Sequence, residues 1–248
     1  MSSFEPKYEK IVQSGDLIEV YQYEHAPIPK KPTVKRSKRY KKYKSDRHIA
    51  RAVFNFRRKA RATVQLGIPH MLTLTMGDIV DLATANKLYT QFGVRLRKLY
   101  GKDVAWIAVP EFQKRGAVHY HALIWNLPHD IHITERDTRG IQNLWGYGYV
   151  DVIATDGSPK LSGYLAKYMS KAMHDSRLFG KKAYSCSRNT LSSVSNNSQA
   201  SVAFLKEEFG IDTPDSTLHP SREREYDTKW LGKARYRAYD ATIENKPL

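Results

Sequence analysis

Alternation of apolar and polar positions marks the strands of this chain. His70 to Met76 places Leu72 and Leu74 on one face and Thr73 and Thr75 on the other, which predicts a first core strand. Asp78 or Asp81 then starts a helix to Tyr100, with Ile79, Leu82, Leu88, Phe92, Leu96 and Leu99 as an approximate stripe and Gly101 as its stop. Apolar runs from Ala105 to Val109 and from Ala117 to Trp125 flank Lys114-Arg115-Gly116, a three-residue hairpin loop with Gly at the left-handed position. Thr134 precedes a helix through Leu144, and a strand follows from Tyr149 to Ile153. Strand, helix, strand, strand, helix, strand is the split βαβ order. The fold class is therefore α+β: a central antiparallel sheet with helices on one face, of the ferredoxin or RRM kind, with the other face left for a ligand.

The flanks read differently. Asp16 to Tyr23 suits a short strand, followed by a break at Pro27, Pro29 and Pro32. From Lys30 to Arg61 the chain is densely basic, with Asp46 the single acid. Ser45 caps a helix from Asp46 to Ala62 in which Ile49, Val53, Phe56 and Ala60 recur at helical spacing. That stripe docks on the main domain, and Lys41, Lys42, Arg57, Arg58 and Arg61 are left to meet phosphate. Downstream, Lys181 to Arg188 reads as a closing strand with Arg188 as a further phosphate contact, Leu191 to Ala200 as a loop, and Ser201 to Phe209 and Arg222 to Ile243 as helices. The expected organisation is a basic N-terminal extension with a helix (1–65), the central domain (66–190), and a loop with a helical C-terminal extension (191–248).

Charge narrows the partner. Forty-one Lys and Arg against 25 Asp and Glu give a formal charge of +16 over 248 residues, which favours a polyanion. Aromatics interleaved with the basic residues favour nucleic acid, and the apolar runs are too short to span a bilayer, so no membrane partner is expected. Met1-Ser2-Ser3-Phe4-Glu5-Pro6 lacks the pattern of a secretory signal, and the single cysteine, Cys186, excludes an internal disulfide and a cysteine-built zinc cluster. A cytoplasmic setting follows. The Gly-x-x-x-x-Gly-Lys-Ser/Thr phosphate loop of ATP-driven helicases is missing, and a zinc deaminase is disfavoured by the missing Cys-x-x-Cys.

Two stretches carry chemistry. On the second hairpin strand His119 and His121 share a face, while Val118, Tyr120, Ala122 and Ile124 take the other. If Gln113 pairs with Ala117, Glu111 lies opposite His119, at a Cβ separation of about 4.5–5.5 Å. Two imidazoles and a carboxylate then converge on one divalent cation; Mg²⁺ and Mn²⁺ both suit the set, and Mn²⁺ tolerates nitrogen better. The second stretch opens at Ser158-Pro159, a strong helix start. In that helix Leu161, Leu165, Met169 and Met173 form an apolar edge, whereas Tyr164, Lys167, Tyr168 and Lys171 fall at i, i+3, i+4 and i+7 on a separate face. A phenol with an ordinary pKa of about 10 is a poor nucleophile at neutral pH, so attack on a phosphodiester calls for a cation that neutralises its oxygens. Lys167 can hold the scissile phosphate or favour the phenolate, and a second tyrosine one turn away offers a second transesterification. Lys171 completes the basic side of this helix and is read as a DNA contact.

Three stretches in order resemble the HUH endonuclease superfamily, specifically rolling-circle replication initiators of plasmids and small single-stranded DNA phages: Met71-Leu72-Thr73-Leu74-Thr75, His119-Tyr120-His121 and Tyr164-Leu165-Ala166-Lys167-Tyr168. The resemblance spans about Pro69 to Arg188. Tyr120 departs from it, being amphipathic rather than aliphatic. The tyrosines follow the histidines, unlike in most relaxases, and they are paired, unlike in single-tyrosine transposases. The resemblance implies sequence-specific nicking of single-stranded or hairpin origin DNA and a 5′-phosphotyrosine link. It further implies a 3′-hydroxyl that primes a host polymerase, with unwinding left to a host helicase, in the cytoplasm of a prokaryotic host. It makes Tyr164 the leading nucleophile, Tyr168 the alternate, and Glu111 the third metal ligand. The competing expectation is a non-catalytic single-strand-binding module of the same fold.

Overall fold

The computed structural model describes residues 4–28, 46–128, 131, 140–158, 160–216 and 218–241. In chain order the elements are β1 (Tyr8–Ser14), β2 (Leu17–Tyr23), α1 (Asp46–Thr63), β3 (His70–Thr75), α2 (Leu82–Tyr100), β4 (Ala105–Phe112) and β5 (Val118–Trp125). They continue with α3 (Ile141–Trp145), β6 (Val150–Ala154), α4 (Lys160–His174), β7 (Ser185–Cys186), β8 (Val194–Asn196), α5 (Gln199–Glu208), β9 (Arg222–Thr228) and β10 (Gly232–Asp240). The chain forms two compact units, one of residues 40–191 and one assembled from both ends, residues 1–39 with 192–248.

The larger unit is an antiparallel sheet of five strands in the order β6-β3-β5-β4-β7. Its α+β class is the one the alternation predicts. Asp81 caps α2, its carboxylate accepting from the Thr84 amide at 2.9 Å, and Gly101 ends the helix at φ 107°. The buried stripe of α2 is Leu82, Ala85, Tyr89, Phe92, Gly93 and Leu96, whereas Ile79 and Leu99, expected to join it, are exposed. Tyr89 stacks on Tyr120 at 4.6 Å between centroids, and Phe92 meets Trp145 of α3 edge-on at 5.6 Å. Hence α2 and α3 cover the sheet face that carries Leu72, Leu74 and Tyr120. Full burial of side chains this size contributes about 1.5–3 kcal/mol each.

The opposite face carries His119 and His121, and α4 lies across it. Leu165, Met169 and Met173 of α4 are buried as expected, joined by Ser162, Ala166 and Ala172. α1 packs beside α4 through Ile49, Phe56 and Ala60. Ser45, Pro159 and the start of the helix expected from Thr134 lie outside the described residues, as do Lys41 and Lys42.

The smaller unit corrects the expectation of a helical C-terminal extension. α5 matches its expected helix, but Arg222 to Asp240 is the β9–β10 hairpin, turned at Gly232 with φ 67°. This hairpin joins β1, β2 and β8 in a second antiparallel sheet of five strands, ordered β8-β1-β2-β10-β9. The physical reason is cross-strand pairing: Arg235 donates to Glu225 at 2.8 Å, and the alternating Arg-Glu-Arg-Glu of β9 fits a period of two. Ile11, Ile18, Val20, Val202, Ile211 and Tyr239 form its core.

Candidate active site

The hairpin sets the geometry. The Gln113 amide donates to the Ala117 carbonyl at 2.9 Å, Gly116 takes φ 97°, and Glu111 pairs in register with His119, as the turn logic requires. β3 lies on the other side of β5, with Thr73 opposite His121 and Thr75 opposite His119. The two threonine hydroxyls approach the rings, each at 3.5 Å: Thr73 at His121 Nδ1 and Thr75 at His119 Nε2. Arg115 of the loop donates to the Met76 and Gly77 carbonyls at 2.6 and 2.8 Å and ties the hairpin to the end of β3. Trp145 fixes that end as well, its indole N–H donating to the Thr75 carbonyl at 3.0 Å.

Glu111 meets the diagonal histidine rather than the one directly opposite. Its Oε2 lies 2.9 Å from His121 Nε2, while Oε1 accepts from the Lys171 ammonium of α4. Burial alone would raise the Glu111 carboxyl, but the hydrogen bonds from Lys171 and His121 outweigh it and hold the group below the ordinary carboxylate range. Burial holds His121 below the usual histidine value despite the neighbouring carboxylate. His119 is lowered by burial and then by repulsion from His121. The set therefore presents neutral imidazoles and an ionised carboxylate.

Helix α4 brings its tyrosines to this face. The Tyr168 ring stacks on His121 at 3.6 Å between centroids, and its hydroxyl lies 2.6 Å from that of Tyr164. Burial, and then the bond from Tyr164, push the Tyr168 phenol up to about 12. Tyr164 stays 40% exposed, and Lys167 and Lys171 are exposed on the same side of the helix.

The structure thus brings together Glu111, His119, His121, Tyr164, Tyr168 and Lys171. It does not unite the expected phosphate contacts with them in any hydrogen bond or ion pair described here. Arg57 and Arg188 are exposed, Arg58 lies over the Phe54 ring at 4.4 Å, and Arg61 is buried at 7% exposure, which removes it from the exposed basic face expected of α1. Sequence reasoning missed Asp151, which pairs in register with Thr73 and shares the histidine face; the alternation of β6 was the signal for it. Among the described residues, no group of three or more His, Cys, Asp or Glu is already arranged as a metal cage. The donor chemistry of Glu111, His119 and His121 nevertheless fits a divalent cation, since a carboxylate and two unprotonated imidazoles are what such an ion binds. No described helix is long and apolar enough to cross a membrane.

Fold and site together define an α+β domain whose paired hairpin histidines face a helix bearing two tyrosines. Residues 69–173 of the 248 match the family model of the replication-associated protein ORF2, a rolling-circle replication initiator family. The match covers β3 through nearly all of α4, the same three motif stretches that resemble such initiators, and it makes this a replication-associated domain. Searches of curated proteins and of solved structures gave no match.

Proposed function

We propose that this domain nicks and rejoins single-stranded or hairpin origin DNA by tyrosine transesterification and so starts rolling-circle replication of a plasmid or small phage. The observation that carries the reading is the stack of Tyr168 on His121, with the Tyr164 hydroxyl 2.6 Å from that of Tyr168. A nucleophile pair and a donor set for a cation then share one side of the sheet. A bound Mg²⁺ or Mn²⁺ would neutralise the non-bridging oxygens of the scissile phosphate. Glu111, His119 and His121 would hold it.

The remaining work falls to the chain. The tyrosine oxygen bonds to phosphorus as it gives up its proton to solvent, and the bond from phosphorus to the 3′ oxygen breaks. The 3′ oxygen takes a proton and leaves as a free hydroxyl, with the 5′ phosphate esterified to tyrosine. Tyr164, the more exposed phenol, is the leading nucleophile and Tyr168 the alternate. Lys167 faces the phosphate electrostatically. The 3′-hydroxyl would serve a host polymerase, and a host helicase would unwind ahead of it in a prokaryotic cytoplasm.

A denaturing gel tests this. Labelled single-stranded DNA from a randomised pool that includes hairpins, incubated with Mn²⁺, should give a covalent band that is lost on chelation and in Tyr164→Phe. Tight binding on a native gel with no adduct under any of these conditions would leave a binding module in its place. An inactive Tyr168→Phe beside an active Tyr164→Phe would reverse the two roles.

A further inference from the structure

The smaller unit carries a feature that nicking does not use. Its two sheet faces differ in chemistry, and the difference is sharpest on β9. There Glu223, Glu225 and Asp227 share the face of Arg235, whereas Arg222, Arg224 and Tyr226 fall on the other. Register places Tyr8, Tyr23, Ala234 and Tyr226 in one row across β1, β2, β10 and β9 on that second face. The adjacent row is Lys10, Tyr21, Tyr236 and Arg224.

The rings form a chain. Tyr8 meets Tyr23 at 5.8 Å, Tyr23 lies parallel to Tyr21 at 6.5 Å, and Tyr21 meets Tyr236 at 5.0 Å. Tyr21 and Tyr236 both donate to the buried Glu19 carboxylate, at 3.2 and 2.8 Å, so their rings are held in place rather than left to rotate. Burial is graded along the strands. The face is closed at Ser14, Glu19 and Ala238 and opens toward Tyr8, Tyr23 and the 44% exposed Tyr226. Beyond the open row the hairpin tip presents Trp230, at 75% exposure, with the Lys229 ammonium 4.9 Å from its ring. Trp125 and Trp145, by contrast, are fully buried in the larger unit, where tryptophan serves as core.

We propose that this tyrosine row, with Trp230 at its end, is a second nucleic-acid site that binds single-stranded DNA by stacking bases on the rings. Lys10, Arg224 and Lys229 would follow the phosphates. Aromatic side chains on the open face of an antiparallel sheet offer π-faces to unpaired bases of any sequence, and the sorting of β9 leaves the acids on the opposite face. A duplex keeps its bases stacked on one another and cannot use such a row. The site lies outside the matched residues 69–173 and involves neither tyrosine of α4. It can therefore hold a strand whether or not the domain cleaves it.

The test uses the full chain and an unstructured single strand of about thirty nucleotides, with a duplex of equal length as control. Trp230→Ala and Tyr226→Ala, both exposed and so without cost to the core, should each weaken single-strand binding about tenfold, in the range of one lost base stack. Duplex binding should stay unchanged. Tryptophan fluorescence should be quenched on adding the single strand to the native protein, and the quenching should shrink in Trp230→Phe. Covalent adduct formation on a minimal substrate at saturating DNA, if the native protein forms one, should survive in both alanine variants, which separates this site from the nicking centre. Undiminished single-strand affinity in both alanine variants, or an equal loss on duplex, would overturn the proposal.

Discussion

Lys171 occupies a carboxylate that the proposed cation needs. Its ammonium sits on Glu111 Oε1, with the lysine side chain 72% exposed and the glutamate 15% exposed. One partner is thus open to solvent, and the pair falls in the class of screened ion pairs, worth about 0.2–1 kcal/mol. A cation that takes Glu111 must give up that interaction and bind beside a positive charge. Removing the charge while keeping the stem, as in Lys171→Met, should therefore tighten Mn²⁺ binding by roughly 1.4- to 5-fold. Electron paramagnetic resonance of free Mn²⁺ during titration measures this without DNA or turnover. The same substitution in a Glu111→Gln background should give no gain, because the competition runs through the carboxylate. Equal or weaker Mn²⁺ binding by Lys171→Met in the native background would refute the reasoning and return Lys171 to a plain DNA contact.

Acidification and one glycine give two more checks. His119 and His121 are held below the ordinary histidine value, chiefly by burial, so as pH falls through about 6.5 the unfolded chain takes up protons before the folded one. Their contribution to stability is complete above that pH and declines below it. Urea melts from pH 8 to 5 should show the decline, reduced in His121→Gln, and stability rising on acidification would contradict it. Gly148 leads into β6 at φ 146°, where an added Cβ would collide with the Thr75 carbonyl and lie 2.6 Å from the Gly77 nitrogen. Gly148→Ala should cost about 2–6 kcal/mol, combining strain and overpacking, and a melting temperature within error of the native protein would refute that.

The hairpin was legible because three local signals agree there: period-two alternation, a Lys-Arg-Gly turn and a register fixed by loop length. That sufficed to set Glu111 opposite His119. Which histidine the carboxylate meets was not legible, because Lys171 on another element pulls it and side-chain reach, not register, decides the diagonal contact. The smaller unit was mostly hidden. Six of the seven β9 residues are exposed and the seventh is half-buried, so no apolar period exists to distinguish strand from helix. Its identity is supplied by β10, and that of β10 by β2 from the far end of the chain. Trp230, Leu231, Tyr236 and Tyr239 looked like a helical packing face, but Gly232 turns the chain between them. Tyr8–Ser14 went unread as a strand because Ile11 and Val12 are adjacent rather than alternating.

The two tyrosines of α4 are chemically unequal, and helix geometry is the reason. Side chains four residues apart on one helix face stand one above the other, so only one of the two rings can lie on His121. Tyr168 takes that place, and its hydroxyl has left water for a partner, Tyr164, that is itself exposed. Desolvation first, and then the bond to Tyr164 and the charge of Glu111, all disfavour the Tyr168 phenolate. The Glu111 contribution reverses if the carboxylate is neutralised by a cation, whereas the ring stack does not depend on charge. Loading the site should thus ease ionisation at Tyr168 without moving it, while Tyr164 remains the phenol an incoming strand meets first. An order of action with Tyr164 leading and Tyr168 following needs no rearrangement of α4, only a change in the charge beneath it.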